Sequence, residues 1–497
     1  MTTVPERPTD VRTSRIFRGQ PRWFGTLFGV DMWERFSFYG MTATLYLYLV
    51  ADPATGGVGI SPQTATSVFG LYMSLVFLAA LPGGWIADRW VGAKRAVLVG
   101  GVLIAVGHGC LAIPSSGGVF AGLGFIIAGT GLLKPSLAAM VSASQPEHQE
   151  RREAAFSFFY MSIQISALVA PLVTGYLGEK INWHLGFGIA AFGMVVGLVQ
   201  YVLGYRGFGD VGEVPSNPAG HEERQRVLRR VGYVVGVIVV LVAIDVFAGS
   251  FDVQHLLIGA GLVCLLTPFV YNHLLLRRPE FVEADRSRIR AYRWLLVASA
   301  SFWMLFSQSG SVLTQFAADS VQRTVLGFEV PASWFQSASP LFMLLLAPLA
   351  AVLWLRLGSS FGAPAKLGTG LLLGGGSFLV MAAAAAFALP GASPWWLLGA
   401  YLLLAAGEIT LAPVGLALAA QVAPEGYTNR LLALYWLFAA FGVAVGGLVG
   451  RLADVLPLPV YFMVLGGIVL LIGAGVSART AQLTGSLTRG VPAPTRD

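Results

Sequence analysis

The chain has 497 residues, of which 56% are hydrophobic and only 11% charged. With a mean hydropathy of +0.71 it is too apolar for a soluble globular fold. Its net charge of +7 would suit nucleic acid in a soluble protein, but in a chain this apolar the basic residues have to be read against membrane spans, and a nucleic-acid partner is excluded.

Residues 1–21 contain no short apolar core ahead of a small-residue cleavage site and read as a cytoplasmic tail. Apolar runs of span length then recur from Trp23 to Val476, fourteen in all. They lack the ten-residue alternation of an outer-membrane barrel, which leaves an all-α integral membrane protein. The grouping is six, two and six: a bundle at 22–205, a polar linker at 206–230, two extra transmembrane helices at 231–276, a second linker at 277–293, a bundle at 294–478 and a tail at 479–497.

The basic residues fall almost wholly on one side of these spans, from Arg7–Arg22 through Arg89–Arg95 and Arg206–Arg230 to the tail from Arg479; Lys180, Arg323 and Arg451 are the exceptions. Positive-inside bias puts both termini in the cytoplasm, as an even number of spans requires. Cys110 and Cys264 lie within apolar runs and read as packing residues.

The two sets of six resemble each other. Trp33, Phe36, Ser37 and Gly40 recur at an offset of 270 as Trp303, Phe306, Ser307 and Gly310. Gly129, Pro135, Pro146 and Glu147 recur at 278 as Gly407, Pro413, Pro424 and Glu425. Two pairs in the same order imply a parallel duplication around a central cavity.

An ionisable group at bilayer depth costs a few kcal/mol, about 2.5–3.5 at a helix centre, and so has to be paired or to line a wet cavity. Asp31, Glu34 and Arg35 stand on one face of the first span, at i, i+3 and i+4, with Phe38 and Thr42 further along that face. Lys134 precedes Pro135, where the helix can bend beside the cavity. Glu408 matches Thr130 through the 278 offset, one turn from Lys134, so Lys134 and Glu408 are expected to be opposite poles of one cavity. Asp245 lies in the first extra helix, outside the repeat, where a lipid-edge or helix-contact role is expected. A carboxylate beside a movable lysine is a proton switch: a substrate that engages Lys134 takes the counter-charge from Glu34, which links proton and substrate binding reciprocally. An intramembrane enzyme is not supported, since no His-Glu-x-x-His motif occurs and neither cysteine has a catalytic partner.

These residues carry a family resemblance. DMWERFSFYG at 31–40 resembles the first-span motif of the proton-dependent oligopeptide transporters of the major facilitator superfamily, and GTGLLKPS at 129–136 resembles their fourth span. GGWIADRWVGAKR at 83–95 is similar to the superfamily's loop between spans 2 and 3, and FWMLFSQ, SWFQSASPLF and GEITLAPVGL resemble spans 7, 8 and 10. The resemblance covers nearly the whole chain and implies the major facilitator fold, two six-helix bundles with two extra helices. It implies a monomer in the bacterial-type inner membrane that moves di- or tripeptides with protons by alternating access, with no cofactor besides the proton gradient. An alternative cargo is a non-standard peptide-like or other small organic molecule, imported or exported.

The resemblance further implies that Asp31, Glu34, Arg35 and Lys134 couple protons. It places Phe38, Tyr39, Thr42, Tyr72, Lys134, Gln164, Ser307, Gln308, Ser339, Glu408, Tyr435 and Trp436 at the substrate, with Lys134 on the peptide carboxylate and Glu408 on its amino end. The departures cluster among the substrate residues. Thr42 and Ser307 stand where many members have a paired arginine and glutamate, Gln164 and Ser339 replace asparagines, and Phe38 replaces a tyrosine.

Overall fold

The computed structural model describes residues 17, 20–114, 116–143, 149–249, 253–358 and 361–487. Pro146 and Glu147 of the second repeat match lie outside the described residues. The chain is helical nearly throughout, because a backbone polar group in lipid must be satisfied within its own segment. The helices are α1 (Phe24–Val50), α2 (Pro62–Ile86), α3 (Ala93–Ala112), α4 (Ser116–Ala143), α5 (Gln149–Lys180), α6 (Trp183–Gly204), α7 (His221–Phe247) and α8 (Val253–Leu276). They continue as α9 (Glu283–Phe306), α10 (Val312–Ser320), α11 (Ala338–Leu357), α12 (Ala363–Phe387), α13 (Pro394–Val422), α14 (Thr428–Gly450), α15 (Leu458–Ala478) and α16 (Thr480–Leu487).

Among the described residues, thirteen helical segments are long and apolar enough to cross a membrane, α9 and α10 counting as one. Helix α1 has the length, at 27 residues, and is less apolar because of its three charges. With α1 these make fourteen spans among the described residues, a multi-pass membrane protein. The later parts of both polar linkers are helical: α7 begins at His221, with Glu222 and Glu223 in the first turn where the helix dipole favours acids, and α9 begins at Glu283.

The described residues form two compact units. One takes the chain up to Gly40, with Ala79–Ala170 and Phe187–Ile238. Its core packs Phe24, Leu27 and Val30 of α1 against Leu133 and Leu137 of α4 and against Tyr201 and Phe208. The loop after α2 is a short π-helix, Ala87–Val91, and the chain after α6 lies along it. Asn217 and Ala219 donate backbone bonds to Asp88 and Arg89, and the Arg89 guanidinium meets Glu223.

The other unit takes Met41–Leu78, Pro171–Gly186 and the chain from Val239. The ends of α1 and α2 that belong to this unit meet α10 and α14, where the Tyr46 hydroxyl donates to Gln315 and the Ser74 hydroxyl to the Ala440 carbonyl at 2.9 Å. The Gln336 amide donates to the Ala43 carbonyl at 3.1 Å and the Trp334 indole to the Leu172 carbonyl at 2.9 Å. A two-stranded hairpin, β1 (Thr324–Val325) and β2 (Phe328–Glu329), precedes α11. Its Glu329 takes both Lys180 at 2.7 Å and Arg323 at 2.9 Å, so two of the three basic residues that break the positive-inside pattern share one carboxylate. Asp245 pairs with His255 at 2.7 Å, a contact between the two extra helices.

The duplication is visible inside each unit. A Cβ on Gly129 of α4 would meet the Gly100 carbonyl of α3 at 2.5 Å, and one on Gly407 of α13 would meet the Gly370 carbonyl of α12 at 2.9 Å. Gly100 and Gly370 are related by the same 270 offset that relates Trp33 to Trp303. Only glycine permits such main-chain approach, the means by which membrane helices pack where lipid supplies no hydrophobic drive.

Candidate functional site

Helix α1 presents its charges inward, where they meet α4 and α5. Asp31 and Glu34 are 2% and 1% exposed, so neither faces lipid or open water. The Arg35 Nε lies 3.5 Å from Asp31 Oδ1 and 3.5 Å from Glu34 Oε2, and Lys134 Nζ lies 3.7 Å from Glu34 Oε1. Two acids and two bases form a neutral cluster, the condition on which buried charges are tolerated. The pairing is loose: at these distances Glu34 Oε2 and Arg35 Nε make no hydrogen bond. Lys134 also lies 4.3 Å from the centre of the Phe38 ring, a cation–π contact that holds the ammonium over α1. The Lys134 and Arg35 side chains keep 22% and 18% exposure, so the bases of the cluster reach open space while the acids do not.

Two serines on α5, Ser162 and Ser166, complete the cluster. The Ser162 hydroxyl donates to Asp31 Oδ2 and the Ser166 hydroxyl to the Met32 carbonyl at 2.8 Å. Neither was singled out in the sequence; their i, i+4 spacing within an apolar helix was the available signal. Gln164, on the same helix, is buried. Tyr39 is half-buried, its ring against Phe38.

The remaining candidates belong to the second unit. Glu408 of α13 is half-buried, and no ion pair or hydrogen bond to it is recorded among the described residues. Tyr435, 1% exposed, sets its hydroxyl beside Trp303 and Ser299. Trp436, 37% exposed, stacks on Phe77 with ring centres 5.6 Å apart and planes within 9°, so it presents an open aromatic face. Tyr72, Thr42 and Ser339 are buried.

The seventh span breaks at Ser307. Residues Ser307–Gly310 are a 3-10 turn and Ser311 is non-helical at φ −130° and ψ −92°, a discontinuity of the kind that transporters place at binding sites. The Ser307 hydroxyl turns back to the Met304 carbonyl at 2.9 Å and lies over Gly446 of α14, where a Cβ would meet it at 2.1 Å. Gln308 is fully buried, its Oε1 accepting from Tyr461, so it offers no surface to a ligand in this conformation.

The family model described as the POT family matches residues 94–466. The chain is 36% identical over 463 residues to a peptide transporter of Yersinia enterocolitica, covering 89% of this chain and 90% of that one. It is 32% identical over 449 residues to a di-/tripeptide transporter of Lactococcus lactis, covering 86% and 88%. A crystal structure of a peptide transporter of the POT family in complex with sulfate superposes with a TM-score of 0.92 at 36% identity, over 97% of this chain and 98% of that one. The chain belongs to the POT family, the proton-dependent oligopeptide transporters of the major facilitator superfamily, and is a membrane transporter rather than an enzyme.

Proposed function

We propose that this transporter is a proton-coupled symporter of di- and tripeptides that works by alternating access, as a monomer in the inner membrane with both termini in the cytoplasm. The observation that carries the reading is the neutral four-charge cluster in which Lys134 is the movable member: it holds Glu34 at 3.7 Å without a tight bond and is the more exposed of the two. A peptide carboxylate that draws Lys134 away leaves Glu34 with Arg35 as its only ion-pair partner among the described residues, and Arg35 is already shared with Asp31. Charge balance is then restored by a proton on Glu34, so substrate and proton enter together. Release of the peptide returns Lys134 to Glu34 and expels the proton.

Glu408 is the partner for the peptide amino group, because a half-buried carboxylate with no cationic partner among the described residues is the complement of an ammonium. The Trp436 face and the tyrosines Tyr39, Tyr72 and Tyr435 line the place of the peptide side chains. Phe38, Gln164, Thr42, Ser307 and Ser339 set which side chains are accepted. The six–two–six grouping of helices supplies the two moving bundles.

The test is uptake in proteoliposomes under an imposed pH gradient. Glu34→Gln is expected to abolish uphill peptide accumulation while counterflow persists, because the neutral amide imitates the protonated acid. Uphill uptake retained in Glu34→Gln would refute the coupling role. A panel of dipeptides with varied side chains, none of which acidifies the lumen, would overturn the peptide assignment and leave the small organic cargo.

A further inference from the structure

A groove opens between α2, α8 and α14, and none of the residues that line it was given a transport role above. It encloses a cavity of about 140 Å³. One end is polar, lined by Thr64 of α2, Gln254 of α8 and Arg451 just past α14. Thr64 and Gln254 stand near the N-terminal ends of their helices and Arg451 just beyond a C-terminal end, so the three polar residues share one membrane face. From that end the walls become apolar, with Leu71, Ile258, Leu262, Leu265 and Leu448. Ile258 and Leu262 are 58% and 51% exposed, so the groove faces the surrounding lipid.

Two quantities say what fits. The lining on α8 runs from Gln254 to Leu265, about 16 Å at 1.5 Å per residue, which is about half of a 30 Å hydrocarbon core and so the depth of one leaflet. Arg451 is exposed and, among the described residues, has no carboxylate partner; no ion pair joins it to Asp454 three residues on. An unpaired guanidinium at the rim of an apolar groove one leaflet deep matches a phosphodiester above an acyl chain, since guanidinium and phosphate pair in a planar, two-pronged way and basic pockets between membrane helices take anionic headgroups.

We infer that this groove is a binding site for one phospholipid, with an acyl chain lying against α8 and an anionic headgroup on Arg451. On the orientation proposed above the lipid belongs to the outer leaflet. Bound there it joins the two-helix extension to α2 and α14.

The test is native mass spectrometry of the full chain extracted in mild detergent, with phosphatidylglycerol or phosphatidylcholine added. Three variants report on it: Arg451→Gln, Arg451→Lys and Gly261→Leu. Gly261 lines the groove and a Cβ there meets no atom within 4 Å, so a leucine fills the groove without disturbing the fold. The expected result is one retained lipid per chain, with phosphatidylglycerol preferred. Its occupancy falls about fivefold in Arg451→Gln, the scale of one basic residue against an anionic lipid, is kept in Arg451→Lys, and is largely lost in Gly261→Leu with transport unchanged. Equal lipid occupancy in the wild type and all variants overturns the inference. So does a thermal shift given by inorganic phosphate alone, lost in Arg451→Gln, with no lipid retained, since that assigns the arginine to a free anion.

Discussion

The Glu179 carboxylate at the end of α5 closes on the 3-10 turn that leads into α11. It accepts the backbone N–H groups of Ala332 at 2.7 Å and Ser333 at 2.9 Å, and the Ser333 hydroxyl as well. Alternating access requires α5 and α11 to part at this end, so these bonds exist in one state and are broken in the other. A hydrogen bond to a charged group contributes about 1.5–3 kcal/mol net. Glu179 is only half-buried, so water recovers part of what is lost, and Glu179→Ala should shift the balance toward the open state by about 2–3 kcal/mol, roughly 30- to 150-fold. Glu179→Gln keeps one acceptor oxygen and should shift it less. The assay is alkylation of a cysteine placed at Thr174, which is 0% exposed, with Cys110 and Cys264 replaced by serine. When opening is fast, the modification rate follows the open population. A rate in Glu179→Ala within about threefold of its parent would sink the reasoning, since the clasp would then contribute less than about 1 kcal/mol.

Ser162→Ala removes the hydroxyl that donates to Asp31. The buried acid loses a charge-assisted bond of about 1.5–3 kcal/mol, so the pH profile of uptake should move while peptide KM stays within about twofold; an unmoved profile removes Asp31 from the tuning of the cluster. Thr42→Arg places an unpaired cation at a buried position, which costs about 2.5–3.5 kcal/mol, and adding Ser307→Glu should recover uptake at least about fivefold despite the close approach of Gly446. Equal uptake in single and double variants ends the idea that a charge pair was lost there. At the hairpin, Lys180 and then Arg323 hold the Glu329 carboxyl below the usual carboxylate range. The folded state is thus favoured by its charged form, fully present above about pH 4.3 and lost as pH falls through the lowered value. Amide protection in 324–329, taken relative to the intrinsic exchange rate at each pH, should therefore fall only in acid, and Glu329→Gln should abolish that acid step; a step that survives points to another group.

The sequence by itself determined the fourteen spans, the duplication and the identity of the charges that need partners. These signals are local, or recur at a constant offset: apolar length is read from one segment, and a charge within it is costly wherever the segment packs. For the same reason the charged face of α1 was legible, since Asp31, Glu34 and Arg35 share a face through helix geometry alone. Lys134 was legible as a charge inside an apolar span, and Pro135 marked where that helix can bend.

Only the tertiary structure decided which groups meet. Ser162 and Ser166 acquire their roles only where α5 sets them against Asp31 and Met32. Glu179 carries no sequence signal, and Lys180 and Arg323 read as exceptions to a topology rule; the fold gives Glu179 two backbone donors and gives Lys180 and Arg323 a common carboxylate. Gln308 carried a substrate motif yet is sealed against Tyr461. A side chain's spacing fixes the face of its own helix on which it stands. The partner across that face depends on how closely two helices approach and in what register, and here that is set by glycine contacts far along the chain, such as Gly129 on Gly100 and Gly407 on Gly370.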